Sequence, residues 1–149
     1  MNYREVSELE YRRSNSKVLF EDTKTNMSFG IISNDNHSYK FGWQSTIVKP
    51  LIKKINEDFF LIGIDLNFII FNLNTYEIIF KITLDYYFFD VEFFNNYIYV
   101  ITQLEIIKID IKDFNIIQGF GLPDYFESID FLEDSIIVTC EGNEKVVIE

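Results

Sequence analysis

Two side chains suited to nucleophilic or acid–base chemistry occur once each in this 149-residue chain, His37 and Cys140. A Ser-His-Asp or Cys-His arrangement needs an imidazole beside its nucleophile. His37 lies in the polar run Ser33-Asn34-Asp35-Asn36-His37-Ser38, which reads as an exposed loop, and no Gly-x-Ser-x-Gly elbow accompanies it. Cys140 stands between Thr139 and Glu141. A neighbouring carboxylate raises a thiol's pKa, so a reactive thiolate is not expected there. A single cysteine also excludes an internal disulfide and leaves a structural zinc site short of ligands. Carboxylates are abundant, but no two are singled out as a glycosidase pair. Asp110 with Asp113, or Glu141 with Glu144, can share a cation at a turn, yet neither run has the spacing of a calcium loop. With no P-loop and no Gly-x-Gly-x-x-Gly, the expectation is a protein without catalytic residues, metal or cofactor.

The remaining distinctive chemistry is aromatic rings among acids. Asp85-Tyr86-Tyr87-Phe88-Phe89-Asp90 and Pro123-Asp124-Tyr125-Phe126-Glu127-Ser128 lie 38 residues apart, with Tyr87 over Tyr125 and Phe88 over Phe126. Aromatics supply buried area and carboxylates supply orientation toward a cationic partner. The candidate contact set is therefore Asp85, Tyr86, Tyr87, Asp90, Asp124, Tyr125 and Glu127. The competing reading is that these rings, the two Phe above all, fill the spaces between packed sheets. Charge favours a surface role: residues 57–149 hold 18 acids against four lysines, a balance of −14, whereas residues 1–56 carry +3. A field of one sign repels nucleic acid and membrane phosphates and draws in basic proteins. Acids that merely keep a sheet protein soluble would give the same count.

The elements that position these residues follow from the same offset. Asp58-Phe59-Phe60-Leu61-Ile62 lies over Asn96-Tyr97-Ile98-Tyr99-Val100 and over Asp134-Ser135-Ile136-Ile137-Val138, both steps being 38 residues. Each unit reads as a strand (Asp58 to Asp65, Asn96 to Gln103, Asp134 to Glu141) and a second strand (Asn67 to Leu73, Glu105 to Ile111, Glu144 to Glu149). A tight turn and a third strand follow (Glu77 to Leu84, Asn115 to Leu122), and then a fourth strand, Val91 to Phe94 or Ile129 to Leu132, leads into the next unit. Ile107, Ile109 and Ile111 fall on one face and Lys108 and Asp110 on the other. Alanine is absent, and Ile, Phe, Tyr and Val dominate, which favours strands over helices. Four short antiparallel strands per roughly 40 residues is the metre of a propeller blade. The expected fold is all-β, with antiparallel blade-like four-stranded repeats of 38 residues in an open or partial β-propeller.

A single domain is expected over residues 1–149, with a divergent first repeat and N-terminal strands in 1–56 and the regular acidic repeats in 57–149. In the divergent part, Lys17 to Glu21, Ser28 to Ser33, Ser38 to Gln44 and Ile47 to Ile55 read as strands. Tyr3 to Val6 and Glu8 to Arg12 read as strands able to complete the last unit, which otherwise stops after two. Too few blades to close a ring leaves an apolar flank for a homodimer or partner to cover. Trp43, after Gly42, reads as a core anchor beside a close-approach glycine. The first ten residues alternate charged and apolar types without an apolar signal region, and apolar runs such as Phe59 to Ile64 fall far short of a membrane span. A cytoplasmic protein is expected, so the sequons at Asn26 and Asn36 are read as chance matches.

The blade metre over Lys53 to Glu149 resembles WD40-like and related propellers, without the Gly-His and Trp-Asp signatures of the WD40 repeat. In size, acidity, lack of catalytic residues and Ile, Asn and Phe bias, the chain is also similar to the small acidic immunity proteins that accompany bacterial toxins, including those of contact-dependent growth inhibition. That likeness implies a protein that binds a cognate basic toxin, commonly a nuclease domain, and occludes its active cleft. A self-assembling propeller-type scaffold or adaptor is the alternative, and an enzyme acting on a sugar or cationic small molecule is a third class.

Overall fold

The structure is a computed structural model that describes residues 1–23 and 27–149; the sequon at Asn26 lies outside the described residues. The described residues fold as all-β apart from two short helical turns, in blade-like sheets of three or four strands. Chain contacts divide it into two compact units, Met1–Thr83 and Leu84–Glu149.

The first unit holds two four-stranded sheets. One contains β1 (Asn2–Val6), β2 (Lys17–Glu21), β3 (Ser28–Ser33) and β4 (Ser38–Trp43) in the order β1-β3-β4-β2. Its β2–β4 pair is parallel, a departure from the expected antiparallel pattern. β1 pairs with β3 inside this sheet rather than completing the last blade. Glu8 to Arg12 is not a strand: helix α1 spans Glu8–Arg13. Ser7 caps it by accepting a 3.2 Å hydrogen bond from the Glu10 amide, and acids in the first turn with arginines in the last complement the helix dipole. The second sheet is the meander β5 (Leu51–Lys54), β6 (Phe59–Ile64), β7 (Asn67–Asn72) and β8 (Glu77–Thr83). The strand expected from Ile47 begins only at Leu51, because the Ser45 hydroxyl accepts the Ile47 and Val48 amides in a tight turn and Pro50 follows.

The core of this unit packs the aromatics of both sheets. Trp43, Phe41, Tyr39 and Phe71 are fully buried, with Phe41–Trp43 and Tyr39–Phe71 centroids 5.5 and 5.2 Å apart. Such pairs contribute about 0.5–1.5 kcal/mol beyond their buried area. Trp43 is the expected anchor, and its indole N–H donates to the Val48 carbonyl at 3.3 Å. A Cβ on Gly42 would stand 2.8 Å from the Met27 methyl and 3.1 Å from the Phe29 ring, so a larger residue there would displace the methionine end and press on the ring, in keeping with the expected close-approach glycine.

The second unit contains the meander β9 (Phe88–Phe94), β10 (Tyr97–Thr102), β11 (Glu105–Asp110) and β12 (Ile116–Gly121). Beside it is a sheet of β13 (Phe126–Phe131), β14 (Ile136–Cys140) and β15 (Lys145–Ile148), with a 3-10 turn at Glu141–Asn143. The last sheet thus has three strands rather than the expected two, because the strand leading into each repeat pairs with the repeat it enters. Tyr99, Ile101, Ile106, Val138, Cys140 and Ile148 form the core between these two sheets, and Phe131 packs on Tyr99 at 5.4 Å.

The 38-residue period is visible in atomic detail. Asn72 Oδ1 accepts the Asn74 amide at 2.8 Å, and Asp110 Oδ1 accepts the Lys112 amide at 2.8 Å. Tyr76 and Phe114 both take positive φ, 62° and 58°, at the ends of these turns. The β7–β8 and β11–β12 ladders slip register between Ile70 and Phe71 and between Lys108 and Ile109.

Candidate functional site

The two aromatic linkers are shorter than expected. Phe88, Phe89 and Asp90 belong to β9, and Phe126, Glu127 and Ser128 to β13, leaving connections of only residues 84–87 and 122–125. Both strands begin with a β-bulge. Phe88 faces Thr102 and Asp90 faces Ile101, so Phe89 is the extra residue. In the next blade Phe126 faces Cys140 and Ser128 faces Thr139, so Glu127 is the extra residue, 38 positions on. A bulge bends the strand and re-aims the inserted side chain. Phe89 is accordingly 58% exposed although it lies on a strand.

Backbone hydrogen bonds fix the connections. Tyr87 O accepts from the Gln103 amide at 3.0 Å, and Tyr125 O accepts from the Glu141 amide at 2.8 Å, again offset by 38. The Gln103 carbonyl accepts from the Phe126 amide at 2.9 Å. Gln103 therefore joins both aromatic segments through its two backbone groups. Phe89 and Phe126 stand 5.3 Å apart with their planes inclined by 57°. Together with Gln103, Tyr125 and Glu141 they line a shallow cavity of about 300 Å3.

Of the expected contact set, Tyr87 and Tyr125 meet at this place, one through its carbonyl bonded to Gln103 and the other as a wall of the cavity. Both are about half exposed, as is Tyr86 to a lesser degree. Asp85 and Tyr86 lie in the 84–87 connection outside the cavity lining, and Asp90 holds the Val91 amide at 2.7 Å. Asp124 accepts the Tyr125 amide at 2.8 Å, which shapes the turn. Sequence reasoning passed over Gln103, Glu141 and Phe89 as contact residues. The first two share one repeat position at the end of a strand, a signal visible in the alignment, whereas the bulge that exposes Phe89 is not.

Carboxylates set the electrostatics. Burial raises the Cys140 thiol pKa first; Asp124, Glu144 and Glu127 push it further up, against a backbone hydrogen bond from Asp124. The thiol is buried, and its pKa moves in the direction expected from the sequence, through burial and these three acids rather than through the adjacent Glu141. Burial likewise raises the Glu105 carboxyl, with Asp85 adding repulsion. The whole net charge belongs to this unit: Leu84–Glu149 holds 14 acids against three lysines, −11, while Met1–Thr83 holds ten of each sign.

His37 is half-buried rather than exposed. Its Nδ1–H donates to the Leu73 carbonyl at 2.7 Å and its ring stacks on Tyr76 at 4.7 Å, so it ties the 34–37 turn to the turn between β7 and β8. Among the described residues no group of three or more His, Cys, Asp and Glu side chains is placed to hold a metal ion. No helix of the described residues is long and apolar enough to cross a membrane.

No protein-family model and no curated protein matches the sequence. Among solved structures, the chain is similar to the computationally designed Ika4 protein, with 10% identity over 91% of each chain and a TM-score of 0.53. It is also similar to the computationally designed Ika8 protein, with 9% identity over 85% of this chain and a TM-score of 0.53, and it spans 43% of that chain's length. The WD40 domain of Neurospora crassa Pan2 is a more distant neighbour, at 9% identity over 80% of this chain and 41% of that one, with a TM-score of 0.44. The two designed proteins share the fold of this chain, and at such identities the likeness is one of fold alone.

Proposed function

We propose that the chain is a non-catalytic binding protein whose C-terminal unit docks a basic protein, and that it acts as a cytoplasmic immunity protein occluding the active cleft of a cognate toxin of nuclease type. The observation that carries this reading is the coincidence of the two repeated aromatic segments with the unit that holds the entire net charge of −11. Carboxylates of Asp85, Asp124 and Glu127 occupy the places of substrate phosphates, and the exposed rings of Tyr86, Tyr87 and Tyr125 exclude water around them. The test is rescue of growth. In cells expressing a basic nuclease toxin encoded beside this chain's gene, the wild-type chain restores growth and associates rapidly at low salt. Reversing Asp85, Asp124 and Glu127 together to lysine slows association by about tenfold or more and abolishes rescue. Equal rescue by the triple variant contradicts the proposed surface.

A self-assembling scaffold is a second reading, and one observation favours it. Among the described residues β15 pairs with β14 alone, at the edge of a three-stranded sheet, and Val147 on it is 64% exposed. An open strand edge accepts a strand from another copy. Sedimentation that grows with concentration supports the scaffold, and a concentration-independent monomer removes it.

A further inference from the structure

We infer that the cavity bounded by Phe89, Gln103, Tyr125, Phe126 and Glu141 is a receptor for one arginine side chain of the basic partner. The inference rests on the docking surface proposed above and assigns its central contact.

Size comes first. A cavity of about 300 Å3 is at the lower limit for ligand sites and suits a single side chain rather than a whole small-molecule substrate. Its walls come second. The rings of Phe89 and Phe126 pack on one another, with centroids 5.3 Å apart and planes inclined by 57°, and together form one aromatic wall of the cavity. Tyr125, about half exposed, lines the same space. A cation within about 6 Å of such a face is attracted by the ring quadrupole. Third is charge: Glu141 is one of the lining residues and is exposed, and the Asp124, Glu127 and Glu144 carboxylates act together on Cys140, the residue before it. A neutral apolar side chain would leave that negative field unanswered. Guanidinium suits the place better than ammonium, because it is planar, more weakly hydrated, stacks on rings and pairs with a carboxylate through two parallel N–H groups.

The site is also preorganised. Phe89 is aimed outward by its bulge, Phe126 is held by the hydrogen bond its amide donates to the Gln103 carbonyl, and the Glu141 amide donates to the Tyr125 carbonyl. The preceding repeat has glutamine, Gln103, where this one has Glu141, so of these two equivalent positions only the second carries a charge.

Calorimetric titration of the full chain with hexa-arginine and hexa-lysine peptides, equal in charge, tests the assignment at about 0.15 M salt. The wild type is expected to bind hexa-arginine about threefold or more tighter than hexa-lysine. Glu141→Gln and Phe89→Leu should each erase that preference, the first by removing the carboxylate, the second by keeping an apolar wall without a π face. Phe89 is exposed, so Phe89→Leu leaves the core intact, and an unchanged melting temperature verifies this. Equal binding of the two peptides by the wild type, or a preference that survives both substitutions, overturns the arginine receptor. If that equal binding is lost on reversing Asp85, Asp124 and Glu127, the acidic docking surface stands without it. Absence of binding by either peptide overturns both.

Discussion

Glu105 and Glu21 are perturbed in opposite senses, and the contrast separates two ways a carboxylate can be used. Glu21 accepts hydrogen bonds from Arg12 at 2.6 Å and the Tyr11 hydroxyl at 2.7 Å, and these hold its pKa below the usual value. Its contribution to stability is present above the ordinary carboxylate pKa of 4.5 and is lost as pH falls through the lower folded value. Glu105 has its pKa raised by burial and then by Asp85, so its charge costs stability above the folded pKa, and that cost disappears below 4.5. Glu21→Gln should therefore lower the melting temperature at pH 7, and Glu105→Gln should raise it, each by on the order of 2 °C. Thermal melts at descending pH should show the Glu105→Gln gain vanish first and the Glu21→Gln loss later. A gain from Glu105→Gln that persists below the ordinary carboxylate pKa would contradict the assignment. Cys140, fully buried with a raised pKa, should resist thiol reagents in the native protein and react on unfolding.

At the scale of elements, the period of 38 was legible because a blade repeats its turns as well as its strands. The Asn72 and Asp110 turns, the Tyr87 and Tyr125 carbonyl bonds and the Phe89 and Glu127 bulges all recur at that offset. Strand starts were misjudged where β9 and β13 take in the aromatic segments, because a bulge interrupts the alternation that marks a strand. Helix α1 stands where a strand is expected over Glu8 to Arg12: Ser7 with Glu10 three residues on is a capping box signal, but charged and apolar residues alternating over a few positions fit either period. His37 was placed on a loop correctly, but its bond to the Leu73 carbonyl depends on a contact 36 residues away that no local pattern contains. The β9–β10 hairpin gives an element-scale prediction. Asn95 and Asn96 both adopt positive φ, 49° and 66°, as a two-residue turn between paired Phe94 and Tyr97 requires. Asn96→Ala should destabilise the protein by about 1 kcal/mol, and Asn96→Gly should be close to neutral, as measured by urea unfolding. Trp43→Ala, which empties the aromatic core of the first unit, should cost about 3–5 kcal/mol in the same assay.

For the whole molecule, the division of labour between the units matters most. Met1–Thr83 is electrically balanced and holds Trp43, Tyr39, Phe41 and Phe71 in an aromatic core, whereas Leu84–Glu149 carries the full −11 and exposes the rings of Tyr87, Phe89 and Tyr125. The charge asymmetry is visible in the sequence on either side of residue 57, and it holds as well on either side of residue 84, where the chain divides into its two units. Composition locates charge only along the chain, and the contacts that define a unit are formed across it. Long-range attraction to cations should be screened within about 10 Å at 0.1 M salt, so binding by this unit should weaken steeply with ionic strength. The most direct test is a backbone-amide NMR titration of the full chain with hexa-arginine peptide at low salt. Shifts are predicted to concentrate in residues 84–90, 103–105, 122–127 and 140–144 and to leave Met1–Thr83 unaffected. Shifts centred on Met1–Thr83, or none anywhere, would contradict the account.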